Sequence, residues 1–216
     1  MLKNLLGFAG GVAACTVAAI ALWSMSASAA IQAAPAIGTK LPDFAMTDYT
    51  GKEHKLSDFK DKIVVMSFTS QHCPVSRAKE GAYVELYEKY TDKGVVFLSI
   101  DAHDGTTAET IAAYANATWE EGDAKNETGK KLPYPILKDE GNVYADLLGA
   151  KRTPEIYIAD KDGNLAYHGG IDNNKKADDP AYKPYVAEAL DALLAGEPVK
   201  ENKTSAYGCG IKRSAH

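Results

Sequence analysis

The chain has 216 residues, a formal net charge of -5, 45% hydrophobic residues and 25% charged residues. This length suits one domain of ordinary size with appendages, and the balance of apolar and charged residues excludes a disordered chain. Charges of both signs alternate without a basic block, so nothing in the charge pattern points to a nucleic-acid partner.

The first segment differs from the rest. Lys3 is the only charge before Lys40, Leu5 to Trp23 is apolar and small, and Ala27-Ser28-Ala29 fits a small-x-small cleavage pattern. Residues 1–29 are therefore expected to be a secretory signal peptide cleaved near Ala29, with export to the periplasm or the extracellular space. Two other readings stay open. Val12-Ala13-Ala14-Cys15 loosely resembles a lipoprotein cleavage site, although the apolar run continues past Cys15. Leu5 to Trp23 is also about long enough to span a bilayer, so an uncleaved segment would tie the chain to a membrane. Cleavage removes Cys15 and leaves Cys73 and Cys209. In an oxidising compartment two cysteines can pair, but they do not make a disulfide-stapled scaffold.

Residues 30–40, rich in Ala, Pro and Gly, read as an extended linker. A domain is expected over 41–196. Continuous apolar runs at Ile63 to Phe68 and Val95 to Ile100 suit strands covered on both faces. Further strands are expected at Glu155 to Ala159 and Leu165 to His168, joined through Lys161-Asp162-Gly163-Asn164, a hairpin signal. From Pro74 to Tyr90 apolar residues recur every three or four positions, and Pro74 suits a first helical position. Helices are also expected from Ala108 to Ala115, from Val143 to Leu148, and over a last segment ending at Ala195 before Gly196. Trp119 to Lys131 reads as an exposed loop. Residues 197–216 form a polar tail carrying Cys209. The element order predicts an α/β sandwich with a mixed central sheet flanked by helices.

Several motifs then carry a resemblance. Leu41-Pro42-Asp43-Phe44, Gly51-Lys52-Glu53 and Leu56-Ser57-Asp58-Phe59 resemble the opening of the redoxin (alkyl hydroperoxide reductase/thiol-specific antioxidant-like) branch of the thioredoxin-like superfamily. Ile63 to Pro74 resembles the strand that leads into its active-site cysteine, and Arg152-Thr153-Pro154-Glu155 its cis-proline segment. Tyr167 to Asp172 and Gly208 to Lys212 resemble an exported bacterial subgroup. The resemblance covers residues 37–212 and implies a thioredoxin-like fold and a thiol oxidoreductase. Its substrates would be a protein disulfide or a peroxide, with a thiol as reductant. It calls for no cofactor and assigns no metal ligand.

Cys73 lies where a strand ends and a helix begins. A thiolate there meets free backbone N–H groups and the positive end of the helix, and adjacent His72 can add positive charge. Cys73 is therefore the expected nucleophile. In Cys73-Pro74-Val75-Ser76 a serine stands where a dithiol enzyme would have its second cysteine. Cys209 is then the candidate resolving cysteine within the chain, able to cross the domain face on an extended tail. A static Cys73–Cys209 bridge and pairing with another chain are the other possibilities. By resemblance, Thr153, Pro154 and Glu155 would bind substrate beside Cys73. Ser70 and Arg152 would assist if peroxide is the substrate, yet Met66 stands where peroxiredoxins have a proline. A different class also remains: a non-catalytic metal- or partner-binding module, with Cys73, His72, His103, His168 and Cys209 as conceivable ligands.

Overall fold

The structure is a computed structural model and describes residues 32–118 and 126–213. The expected signal peptide with Cys15, and residues 119–125 of the expected loop, lie outside the described residues.

Strand β1 (Ala45–Thr47) and β2 (Glu53–Lys55) form a small antiparallel hairpin. The central sheet follows. It comprises β3 (Ile63–Thr69), β4 (Val95–Asp101), β5 (Ile136–Lys138), β7 (Glu155–Ala159) and β8 (Leu165–Gly169), in the order β5-β4-β3-β7-β8. Strands β3, β4 and β5 run parallel, and β7 and β8 are antiparallel to their neighbours. Between β5 and β7 lies the two-residue strand β6 (Arg152–Thr153). The helices are α1 (Pro74–Ala78), α2 (Glu80–Tyr90), α3 (Ala108–Ala115), α4 (Val143–Leu148) and α5 (Tyr185–Ala195). A final two-residue strand, β9 (Cys209–Gly210), pairs with β6.

The period of two along β3 divides the core. Val64, Met66 and Phe68 join Leu98, Ile100, Tyr144, Leu148 and Tyr157 on one face. Ile63 and Val65 join Phe97, Tyr83, Tyr90, Ile158, Val186 and Leu190 on the other. All seven residues of β3 are buried, as a strand covered on both faces requires. Each large apolar side chain buried this way contributes about 1.5–3 kcal/mol, so the centre of the sheet is a rigid base for whatever its end carries. That end is the C-terminal edge of β3, where Cys73 sits. The mixed, helix-flanked sheet agrees with the expected α/β class.

The structure adds detail to the sequence expectation in four places. The helix expected as one piece from Pro74 to Tyr90 is broken at Lys79, whose backbone (φ -98°, ψ -1°) closes α1 and opens α2. The break lets Lys79 reach Asp172 at 2.7 Å while Glu80 turns inward to Tyr114 and Tyr134. Strand β5 is only three residues long, too short for a periodic signal, and takes its place from parallel pairing with β4. The extended segment before the domain is tied to it from Gln32 onward. Gln32 N–H donates to the Asp146 carbonyl, Gly38 N–H to Leu165, and Leu41 N–H to Gly163. Finally, residues 202–213 of the tail are bound to the domain as a strap, because their backbone and side-chain polar groups find partners there.

Candidate active site

Cys73 is the N-cap of α1, in extended conformation (φ -94°, ψ 112°). Its sulfur accepts the Ser76 N–H at 3.3 Å, and its S–H donates to the Thr153 carbonyl at 3.1 Å. Pro74, at the first helical position, has no N–H of its own, and the Ser76 amide is the one that caps the sulfur. Cys73 is only 2% exposed. Ser76 turns inward, and its hydroxyl meets the Thr69 hydroxyl at 2.6 Å, so it forms part of the wall of the site.

Cys209 arrives from the other end of the chain. The pairing of β9 with β6 sets Cys209 opposite Thr153 and Gly210 opposite Arg152. Thr153 thus offers its carbonyl to Cys73 and its position in the ladder to Cys209. The two thiols are free, with no disulfide between them. Thr153–Pro154 is a cis peptide bond. Gly208, with φ of 130°, lets the tail press onto Thr153, because an added Cβ there would overlap the Thr153 carbonyl.

The acid strengths of the two cysteines separate. Burial pushes the Cys73 thiol up. Hydrogen bonds from Cys209, from Thr153 and from the Ser76 amide outweigh it and hold Cys73 below its ordinary value. Burial also raises Cys209, and there the hydrogen bond to Cys73 and the nearby Cys73 charge raise it further. A thiolate therefore forms first on Cys73, while Cys209 keeps its proton.

The other residues singled out from sequence take distinct places. His72 is exposed, and its ring lies against His103 in a tilted arrangement, ring centroids 4.8 Å apart. Ser70 is buried, and its hydroxyl accepts the His72 N–H at 3.2 Å. Arg152 is exposed, reaches the Gly208 carbonyl at 3.5 Å, and exerts its charge on Cys209. Glu155 lies beneath the site. One carboxylate oxygen accepts the N–H groups of Lys151 and Arg152 at 2.7 and 2.8 Å, and the other meets His168 Nε2 at 2.6 Å. Burial would raise Glu155, yet the hydrogen bonds from His168 and the two amides hold it below its ordinary range. Glu155 thus fixes the turn that presents Thr153. Among the described residues no group of three or more His, Cys, Asp or Glu side chains is placed to share a metal ion.

The sequence reading missed what clamps the tail. Upstream of Cys209, Asn202 and Thr204 bond to the His168 backbone, and the Thr204 hydroxyl meets the Tyr167 hydroxyl at 2.6 Å. Tyr207 donates to Asp172, which also holds Lys79. Downstream, Ile211 is buried and its N–H donates to Lys151, while Arg213 pairs with Asp146 at 2.6 Å. The local signals were weak. Gly169-Gly170 and Gly208 mark two places where the tail approaches closely, and only the assembled fold shows what approaches them.

Comparison with known proteins accords with this geometry. The AhpC/TSA family model matches residues 37–168. The thiol-disulfide oxidoreductase ResA of Bacillus anthracis is 34% identical over 130 residues, covering 60% of this chain and 66% of that protein. The chain thus spans just under two thirds of the length of these curated relatives. Chloroplastic peroxiredoxin Q of Suaeda salsa is 28% identical over 168 residues, 73% of this chain and 72% of that protein. Among solved structures, an uncharacterized conserved protein from Geobacillus kaustophilus superposes with a TM-score of 0.72 at 31% identity, over 84% of this chain and 94% of that one. The thioredoxin domain of a thiol-disulfide oxidoreductase from Bacteroides vulgatus shares the fold, with a TM-score of 0.51 at 20% identity over 62% and 89% of the two chains. The chain belongs to the AhpC/TSA family, within the thioredoxin-like superfamily.

Proposed function

We propose that this protein is an extracytoplasmic thiol oxidoreductase in which Cys73 is the nucleophile and Cys209 the resolving cysteine. The observation that carries the reading is the register of β9 on β6, which sets Cys209 opposite the residue whose carbonyl accepts the Cys73 thiol. Family membership supports the reaction class, and the apolar N-terminal segment ending in Ala27-Ser28-Ala29 supports export.

The chemistry follows from the order of acid strengths. The Cys73 thiolate attacks one sulfur of a substrate disulfide, and the other sulfur leaves with the bonding electrons. The leaving thiolate takes up the Cys209 proton. Cys209 then attacks the Cys73 sulfur of the mixed disulfide and releases the second substrate thiolate. The substrate disulfide is reduced to two thiols and the chain dithiol is oxidised to a disulfide. A thiol reductant restores the dithiol. Disulfide exchange is preferred over peroxide reduction because Arg152 reaches the Gly208 carbonyl, beside Cys209, and Met66 stands where peroxiredoxins have a proline.

The test is to oxidise the reduced chain with one equivalent of a low-molecular-weight disulfide and map the cysteines by mass spectrometry. A Cys73–Cys209 link that a dithiol reopens is the expected result. A mixed disulfide that persists on Cys73 with Cys209 intact would remove Cys209 from the mechanism. No reaction at Cys73 would refute the reading as a whole.

A further inference from the structure

Residues 149–152 join α4 to β6, and both ends of the described chain meet on this connection. Gly149 closes α4 in the left-handed conformation, with φ of 67°. It also lies against the backbone of residues 32–34: a Cβ added there would overlap the Gln32 carbonyl oxygen and crowd the Ala34 nitrogen. Close by, the Gln32 N–H donates to the Asp146 carbonyl at 3.0 Å. The tail takes the next positions of the same connection. Arg213 donates to Asp146 Oδ1 and to the Ala150 carbonyl, each at 2.6 Å, and the Ile211 N–H to the Lys151 carbonyl at 3.1 Å. Gly210 then stands opposite Arg152, and Cys209 opposite Thr153. Asp146 thus holds the N-terminal segment through its backbone and the tail through its side chain.

We propose that residues 32–34 are a brace that positions Cys209 against Cys73. The inference rests on the reading of these cysteines as the redox pair and adds a third part of the chain to the site. With the brace docked, the last turn of α4 is fixed, Arg213 finds both acceptors at once, and Cys209 is held opposite Thr153. With the brace lifted, that turn loses a hydrogen bond and its packed neighbour, and Arg213 loses a fixed pair of acceptors. The tail then samples more positions, and the effective concentration of the Cys209 thiol at Cys73 falls. Residues 32–34 lie outside both core clusters, so the sheet keeps its packing either way.

The test compares two glycines that close helices at nearly the same backbone angle. Gly149 and Gly196 have φ of 67° and 73°, but nothing lies within 4 Å of a Cβ added at Gly196. Gly149→Ala and Gly196→Ala therefore carry the same left-handed strain, and only the first displaces the brace. Each full chain is equilibrated with mixtures of reduced and oxidised glutathione, starting once from the reduced chain and once from the Cys73–Cys209 disulfide. In the reaction the chain dithiol gives two electrons and two protons to glutathione disulfide, which becomes two glutathione thiols. Acid-trapped species are then resolved by mass spectrometry. Convergence from both sides makes the equilibrium constant independent of how easily glutathione reaches the buried Cys73.

Gly149→Ala should lower the constant for forming the Cys73–Cys209 disulfide by about fivefold or more, and Gly196→Ala should change it by less than about twofold. Hydrogen exchange of the Ile211 amide should quicken in Gly149→Ala, with the β3 and β4 amides unchanged. Equal shifts in the two variants, or no shift in Gly149→Ala, would overturn the brace while leaving the redox pair in place. Gln32→Pro removes the N–H that bonds Asp146 and leaves Gly149 untouched. It should shift the constant the same way by less, and if Gly149→Ala does not fold, an unchanged constant in Gln32→Pro would overturn the brace by itself. Absence of a Cys73–Cys209 disulfide in the parent chain would instead defeat the underlying reading.

Discussion

The two halves of the site are built in opposite ways. Cys73 is placed locally: a buried strand ends, Pro74 starts a helix, and the Ser76 amide three residues on caps the sulfur. Cys209 is placed by the bonds of its tail to distant elements, Thr204 to the His168 backbone on one side and Arg213 to Asp146 on the other. A locally built position tolerates change elsewhere in the molecule. A position held by long-range clamps is sensitive to each of them, and it can also be released without unfolding the core.

This contrast gives its strongest test at Gly208. Gly208→Ala forces a side chain against the Thr153 carbonyl at a backbone angle that favours glycine. It should destabilise the folded chain by about 1–3 kcal/mol. Formation of the Cys73–Cys209 link should slow, while Cys73 still reacts with small disulfides. Urea unfolding and quenched-flow mass spectrometry read the two effects separately. Equal loss of both reactions would mean that the Cys73 half also depends on the tail.

Glu155→Gln comes next. It weakens the contact with His168 and the amide bonds that hold the Lys151–Arg152 turn, at a cost of about 1–3 kcal/mol near neutral pH. Because the folded-state pKa of Glu155 lies below its ordinary value, its contribution is present above the ordinary carboxylate pKa of about 4.3 and is lost as pH falls through the folded value. The gap in unfolding free energy between parent and variant should therefore narrow in acid. A gap that widens as pH drops would contradict the assigned direction.

The smallest effect is expected at His72. Its ring is exposed and lies against His103, and exposed charges act weakly across water. His72→Ala should change the Cys73 alkylation rate by less than about twofold. A larger slowing would restore His72 as an activating charge.

The same contrast explains what could be read from sequence. Strands β3, β4, β7 and β8, the helix start at Pro74 and the place of Cys73 follow from local periodicity and turn chemistry, and all were legible. The hairpin at Lys161 to Asn164 was legible, whereas the register shift between Ile158 and Ala159, which brings His168 diagonally against Glu155, was not. Strand β5, the break at Lys79 and the course of the tail were not legible, because long-range pairing decides them. Cys209 was singled out for its chemistry, while its seat on Thr153 depends on residues scattered from Asp146 to Arg213. The roles expected of His72 and Arg152 come from adjacency to Cys73 for the first and from family resemblance for the second, and neither shows which group the side chain meets. In the fold one faces His103 and the other Cys209.

The central claim is that Cys73 gives up its proton more readily than Cys209. It is tested most directly by measuring the alkylation rate of each cysteine against pH in the fully reduced chain, resolved by mass spectrometry. Cys73 should titrate below an ordinary thiol and Cys209 above it. Coincident titration of both at the free-thiol value, or the reverse order, would contradict the account.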